Sequence, residues 1–369
     1  MGKHFRVMFT AALGFSLTPV VFATPIGFFQ TNLASDQTGV AKVLDPNLIN
    51  AWGIAASSTS PFWLGANGSG SSVLYNGNTG VKQALVVLIP GDGSVTGVAF
   101  NGAAASSFNG DVFLFASEDG TVSGWRGALG TNGEVLALGD PANVYKGLTD
   151  ANISGDEYAY IANFRAGKID VLKGSAAFPD LAGNFTDPNL PAGYAPFDIA
   201  NINGVLYVTY ALQDGSKKDD VSGLGNGIVD RFDLQGNLLG RLVTSGALNS
   251  PWGLALAPAG FGDVGGNLLV GNFGDGRINA YNPTTGTFVE TLRDANGNPL
   301  AIDGLWGLAF GNGGNAGPKG TLFFTAGPVN ESHGLFGELN TAPEPATWLL
   351  TGGSLLVLVL RRASKTRST

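Results

Sequence analysis

The sequence predicts an all-β fold: a six-bladed β-propeller, four strands to a blade, with the ring closed by an N-terminal strand. Three observations carry that expectation. Residues 250–292 contain four short apolar runs separated by turn formers, the size of one propeller blade. The first of these runs recurs along the chain at steps of roughly 45 to 55 residues, the spacing of blade-type repeats. Residues 27–33 form an extended segment that belongs to no complete unit, while the last unit lacks a clear fourth strand.

The unit at 250–292 sets the pattern. Its runs are Gly253-Leu254-Ala255-Leu256, Leu268-Leu269-Val270, Ile278-Asn279-Ala280-Tyr281 and Thr287-Phe288-Val289-Glu290. Pro258, Gly265-Gly266, Asp275-Gly276 and Asn282-Pro283 separate them, and each is a turn former for a steric reason. The first run is rich in Gly and Ala because inner strands crowd around a propeller axis, where small residues let the blades approach. Gly276 suits the positive-φ position of a hairpin turn.

Leu305-Trp306-Gly307-Leu308-Ala309-Phe310 and Ala51-Trp52-Gly53-Ile54-Ala55 repeat the inner strand. Looser copies are Thr96-Gly97-Val98-Ala99-Phe100, Ala195-Pro196-Phe197-Asp198-Ile199-Ala200 and Tyr145-Lys146-Gly147-Leu148-Thr149. The second strand recurs in step, as in Phe62-Trp63-Leu64-Gly65 and Tyr158-Ala159-Tyr160-Ile161-Ala162. The turn after it recurs as Asn163-Phe164-Arg165-Ala166-Gly167 and as Glu118-Asp119-Gly120. Unrelated hairpins would not keep three features in one order.

Taken from the N-terminus, residues 1–23 combine Lys3 and Arg6 with an apolar run and small residues before position 23, the pattern of a secretory signal. The propeller is expected over 24–340, with 27–33 supplying the missing strand of the last blade and so covering its edge. Residues 184–193 read as a Pro- and Gly-rich link between the third and fourth units. Residues 213–226 are an insertion at the second-to-third strand turn of the fourth unit, expected to project from one face.

The C-terminal stretch, 341–369, carries Pro343-Glu344-Pro345, a short apolar helix over 346–360, and Arg361, Arg362, Lys365 and Arg367. The apolar run is shorter than the ~20 residues of an ordinary span, and the basic end would stay cytoplasmic. The arrangement resembles the PEP-CTERM sorting signal. That resemblance implies a brief membrane anchorage through this helix, cleavage by an exosortase, and release to the cell surface or extracellular matrix. Signal peptidase and exosortase would then be the partners during export.

The body also resembles an uncharacterised family of secreted bacterial propellers. The residues that carry this are Ser35-Asp36-Gln37, Asp45-Pro46-Asn47-Leu48, the stretch Asp187-Pro188-Asn189-Leu190-Pro191-Ala192-Gly193-Tyr194-Ala195-Pro196-Phe197, residues 250–276, and Asp303-Gly304-Leu305-Trp306-Gly307-Leu308-Ala309-Phe310-Gly311-Asn312-Gly313-Gly314. More distantly the blades look like those of NHL-repeat and gluconolactonase-type propellers. The resemblance implies the fold and no activity.

Composition narrows the partners. With no Cys, there is no disulfide and no thiol chemistry. Setting aside residues 1–23 and those after 345, 14 basic residues face 28 acidic ones, a body charge of −14 against −8 for the whole chain. Such a surface argues against nucleic acid and anionic lipid and is compatible with cations.

Candidate site residues fall in four groups. Asp198, Asn249 and Asp303 stand beside inner strands, where they would face the channel mouth or cap turns. A metal-dependent hydrolase or lactonase of the gluconolactonase type would use such groups, although the expected Glu has no counterpart. Asp214, Asp219 and Asp220 in the insertion are hard oxygen ligands that suit Ca²⁺; Lys217 and Lys218 weaken that field, and a solvated loop accounts for the same residues. Trp52, Trp252 and Trp306 read as inter-blade packing, with an aromatic platform for a sugar as the alternative. His333 is the only His of the body and has no nucleophile-elbow sequence to serve. Two functions are compatible with these groups: a non-catalytic surface or matrix protein that binds a polysaccharide, an ion or a surface protein, and a metal-dependent hydrolase acting at the channel.

Overall fold

The computed structural model describes residues 27–342. Residues 1–23, read above as a secretory signal, Pro343-Glu344-Pro345, the apolar run 346–360 and Arg361 and Arg362 lie outside the described residues. Among the described residues no helix is long and apolar enough to cross a membrane.

The chain is a six-bladed propeller. Its inner strands are Ala51–Ala55, Val95–Phe100, Tyr145–Ile153, Tyr194–Ile202, Pro251–Leu256 and Leu305–Phe310, each the first strand of an antiparallel sheet. Four blades have four strands apiece. The sixth gains its fourth from the N-terminus: Phe28–Ser35 pairs antiparallel with Leu335–Thr341, Gln30 opposite Leu339 and Ser35 opposite Leu335. A short strand, Val43–Leu44, then adds in parallel outside it. The third blade has three strands, Tyr145–Ile153, Asp156–Asn163 and Lys168–Lys173. Residues 174–193 run irregularly in place of a fourth, because Gly183 and Phe185 donate their N–H groups to Gln235 and Gly236 of the next blade rather than to their own.

Two clasps hold the closure. Ala342 donates to the Gly27 carbonyl at 2.7 Å, and Phe28 to that of Arg293 at 2.8 Å. The Asp36 carboxylate accepts from Gly334 N–H at 2.9 Å and faces His333 Nδ1 at 2.8 Å. Phe28 packs on Phe261 of the fifth blade with ring centres 4.9 Å apart, and Leu33 joins the core between blades six and one.

The two Asp-Pro-Asn-Leu motifs turn out to be one device used twice. In each, the Asp side chain accepts from the Asn N–H two residues on (3.0 Å at Asp45, 2.8 Å at Asp187), and the Leu N–H returns to the Asp carbonyl. The carboxylate then reaches the outer strand of the blade it introduces. Asp45 meets Lys82 at 2.6 Å and the Tyr75 hydroxyl; Asp187 meets Arg241. Beside Asp187, burial and its neighbouring carboxylate push Asp230 up to about 7 against the pull of Arg241. These motifs latch the blades and do not form a site.

Candidate functional site

The six inner strands, set in register, define the site. The residue before the close-packed position is Trp52, Thr96, Lys146, Phe197, Trp252 and Trp306; the close-packed position itself is Gly53, Gly97, Gly147, Asp198, Gly253 and Gly307. The glycines are required by proximity. A Cβ at Gly307 would stand 2.7 Å from the Trp52 carbonyl oxygen, and one at Gly147 would collide with Asp198. Five blades therefore meet through glycine at the axis, and the fourth brings a carboxyl there.

One layer above, the larger residues close the channel. Trp306 is 1% exposed and stacks on Trp52 at 3.7 Å and on Phe273 at 4.0 Å. Trp252 meets it edge-on at 5.6 Å, and Phe197 lies at 5.8 Å. All three indoles are buried, so none offers an open face to a sugar ring. Their Nε1 groups are also buried and find no acceptor among the described residues. Trp252 lines the cavity below this layer, whereas Phe273 lines a separate depression above it. The aromatic layer thus divides the axis into an upper and a lower space.

Lys146 completes the layer in the third blade, and its type and spacing alone do not mark it as a site residue. Its side chain is 2% exposed; Nζ lies 2.5 Å from Glu118 Oε1, 3.6 Å from Asp219 and 4.8 Å from the centre of the Trp52 ring. A cation stripped of water needs such partners, and a carboxylate with an aromatic face supplies them. The available signal is its register: a Lys stands where three blades have Trp.

The insertion 213–226 does not project. It folds back across the upper face. Gln213 Nε2 donates to the Phe164 carbonyl, Gly223 N–H donates to Asn249 Oδ1 at 2.6 Å, and Lys218 approaches Glu118 at 3.9 Å. Its charged side chains stay largely exposed, as a solvated loop requires, while Asp219 and Lys218 also approach Lys146 and Glu118. The three insertion carboxylates point to different partners. Asp214 accepts from Ser216 and from the Lys218 N–H, Asp219 faces Lys146, and Asp220 accepts from Ser222. Among the described residues, no three His, Cys, Asp or Glu side chains are grouped to hold a metal ion.

Asp198, Asn249 and Asp303 are not brought together. Asn249 is tied to Gly223, and Asp303 Oδ2 accepts from Val329 N–H at 2.8 Å. Both belong to the upper face, where Asp303 and Glu331 line a depression of about 260 Å³. Burial pushes the Glu331 carboxyl up although Asn50 donates to it. Asp198 lies beneath the aromatic layer in the lower space. His333 is taken up in the ring closure; the Ser35 hydroxyl next to Asp36 donates to the Gly334 carbonyl.

The lower space is a cavity of about 340 Å³ running along the inner strands to their C-terminal ends. Gly53 to Ala56, Val98, Leu148, Ile199, Leu254 and Leu308 form much of its wall. Asp198, 7% exposed, receives a backbone N–H from Ile199 and no side-chain donor among the described residues, and burial holds its carboxyl well above the ordinary range. Asp150 lies further out, where the cavity adjoins a shallower depression with Phe100, Asn152, Glu157 and Asn201. Burial, then the hydrogen bond that its protonated form donates to the Glu157 carboxyl group, pushes Asp150 up as well. Asn152 Nδ2 donates to Glu157 at 2.9 Å, and Asn201 Nδ2 to the Asp150 carbonyl at 3.0 Å. Asp150, inside the strand Tyr145–Ile153, and Glu157, near the start of the next, escape notice in the sequence because single acids in strands are commonplace; only the fold sets them at the outer end of the lower cavity.

Comparison with known proteins places the chain among uncharacterised relatives. The uncharacterized protein R648 of Acanthamoeba polyphaga mimivirus is 35% identical over 331 residues, covering 83% of this chain and 78% of that protein. Uncharacterized protein L690 of the same virus is 32% identical over 295 residues, covering 75% and 77%. No family model matches. Among solved structures, a streptogramin B lyase has a TM-score of 0.51 at 12% identity, over 86% of this chain and 98% of that one. An auxiliary nutrient binding protein from Bacteroides ovatus has a TM-score of 0.54 at 11% identity, over 86% and 78%. At such identities the likeness is one of fold. Both relatives are viral, so the bacterial, exosortase-linked attribution rests on the sequence motifs alone.

Proposed function

The chain belongs to one family with the mimivirus proteins R648 and L690, and we propose that it is an exported, non-catalytic propeller that binds an extracellular polysaccharide through the lower end of its channel. The observation that carries this reading is the division of the axis. On the upper face, the groups a hydrolase would use are engaged in holding the fold: Asn249 and Asp303 anchor loops, and Glu118 and Asp219 surround Lys146. The lower cavity, about 340 Å³, is roomier than the upper depression of about 260 Å³. Its volume falls within the roughly 300–1,000 Å³ of small-molecule sites, and its wall combines apolar strands with a few polar groups.

Binding without turnover is the expected result. Calorimetric titration with soluble neutral polysaccharides should give saturable heat, and prolonged incubation should release neither reducing ends nor ring-opened lactone, with or without added Ca²⁺. Hydrolysis of a sugar lactone that needs added metal would replace this reading with the metal-dependent hydrolase.

Export is supported by the basic-apolar start and the Pro343-Glu344-Pro345 tail. Mass spectrometry of the exported protein should find neither residues 1–23 nor residues 349–360. An intact tail peptide in the mature protein would refute processing by an exosortase-type enzyme and leave a membrane-anchored form.

A further inference from the structure

The lining of the lower cavity restricts what its ligand can be. The residues around it and around the adjoining depression include Asp150, Glu157 and Asp198 but no Lys, Arg or His. An anionic ligand would meet no opposite charge there. At the inner end stands Asp198, whose carboxyl takes a backbone N–H from Ile199 and meets no side-chain donor among the described residues. Towards the opening stand Asn152, Asn201 and the ring of Phe100. The inventory is one of carboxyl and amide groups beside an aromatic ring, within an apolar sleeve.

We propose that the lower cavity is a subsite for the terminal residue of an uncharged glycan, with Asp198 as the group that receives its innermost hydroxyl. This deepens the polysaccharide reading and rests on it. A hydroxyl both donates and accepts, so it can pair with the Asp198 carboxyl in either protonation state, which a purely apolar ligand cannot. Size agrees: the cavity admits the end of a chain, and the aromatic layer stops it from threading through. The axial position also accounts for an exception in the repeats. Five blades place Gly where the fourth places Asp198. A buried carboxyl without a charged partner is costly to keep, and residues retained against stability are the mark of a binding site.

Binding and stability are therefore two independent readouts. Wild type, Asp198→Asn and Asp198→Leu would be titrated with cellotriose and maltotriose as neutral probes, with trigalacturonate as an acidic probe and with Ca²⁺ alone. Their thermal midpoints would be measured alongside. Wild type should bind a neutral probe and not trigalacturonate. Asp198→Leu should bind it roughly tenfold more weakly, the loss of one or two hydrogen bonds. Asp198→Asn should fall between, because the amide still donates and accepts. Both variants should melt at or above the wild-type temperature, since they relieve the burial of the acid. If wild type binds no neutral glycan, the polysaccharide reading fails, and this subsite with it. If wild type binds but both variants bind equally well, only the subsite is overturned and the glycan sits elsewhere. Binding of Ca²⁺ that Asp198→Asn abolishes would make the cavity a cation site and overturn the proposal. A lowered midpoint in Asp198→Asn would show that the carboxyl holds the fold together and overturn its assignment to the ligand.

Discussion

Trp306→Ala is expected to lower unfolding stability by about 3–5 kcal/mol, the range for emptying a large aromatic from a core. The upper half of the range applies, because the site cannot collapse. Trp306 is gripped on both faces, by Trp52 at 3.7 Å and Phe273 at 4.0 Å, and edge-on by Trp252. These neighbours sit on the first and fifth blades, whose inner strands already meet the sixth through glycine, so no backbone can move in to fill the gap. Urea unfolding followed by far-ultraviolet circular dichroism would measure the loss; Trp306→Phe should cost clearly less, since it keeps one of the two stacked contacts. The same substitution removes the partition between the upper and lower spaces. A stability change below about 1 kcal/mol would mean that the layer is not a packed core and that the axis is not sealed by it.

Much of this was legible in the sequence, and the reasons are physical. Inner strands must be small and must recur once per blade, so Trp52-Gly53, Trp252-Gly253 and Trp306-Gly307 betray the repeat and its count directly. The unpaired segment before Trp52 and the incomplete last unit each imply the other, and Phe28–Ser35 pairs where that argument places it. The site was less legible because its contacts join distant parts of the ring. Asp219 reads as a solvated loop acid until Lys146, from another blade, is found 3.6 Å away. Asn249 and Asp303 read as channel groups because they precede inner strands; that position puts them above the aromatic layer, and Asp198, set beside the close-packed glycines, falls below it. Period locates a residue around the ring, but not the level at which neighbouring blades close over it.

Removal of the first strand should have the largest effect of all. A chain beginning at Gly39 would lack Phe28–Ser35, and it is expected to yield no cooperatively folded monomer. The last blade would be left with three strands and with Leu335–Thr341 as an open edge, its N–H and C=O groups free to pair with another molecule. Phe28 and Leu33, each 2% exposed, would leave two different cores. At about 1.5–3 kcal/mol for each fully buried side chain, together with the lost ladder, the deficit reaches much of the roughly 5–15 kcal/mol by which a folded domain is stable. The His333–Asp36 clasp would go as well. A chain beginning at Thr24 provides the control, because it keeps the whole strand and should melt as the longer protein does. Size-exclusion chromatography and a thermal melt of the two chains make the comparison, and supplying residues 24–38 as a separate peptide should return part of the short chain to the monomer position. A monomeric short chain with a single transition close to that of the control would show that the ring closes without its N-terminal strand.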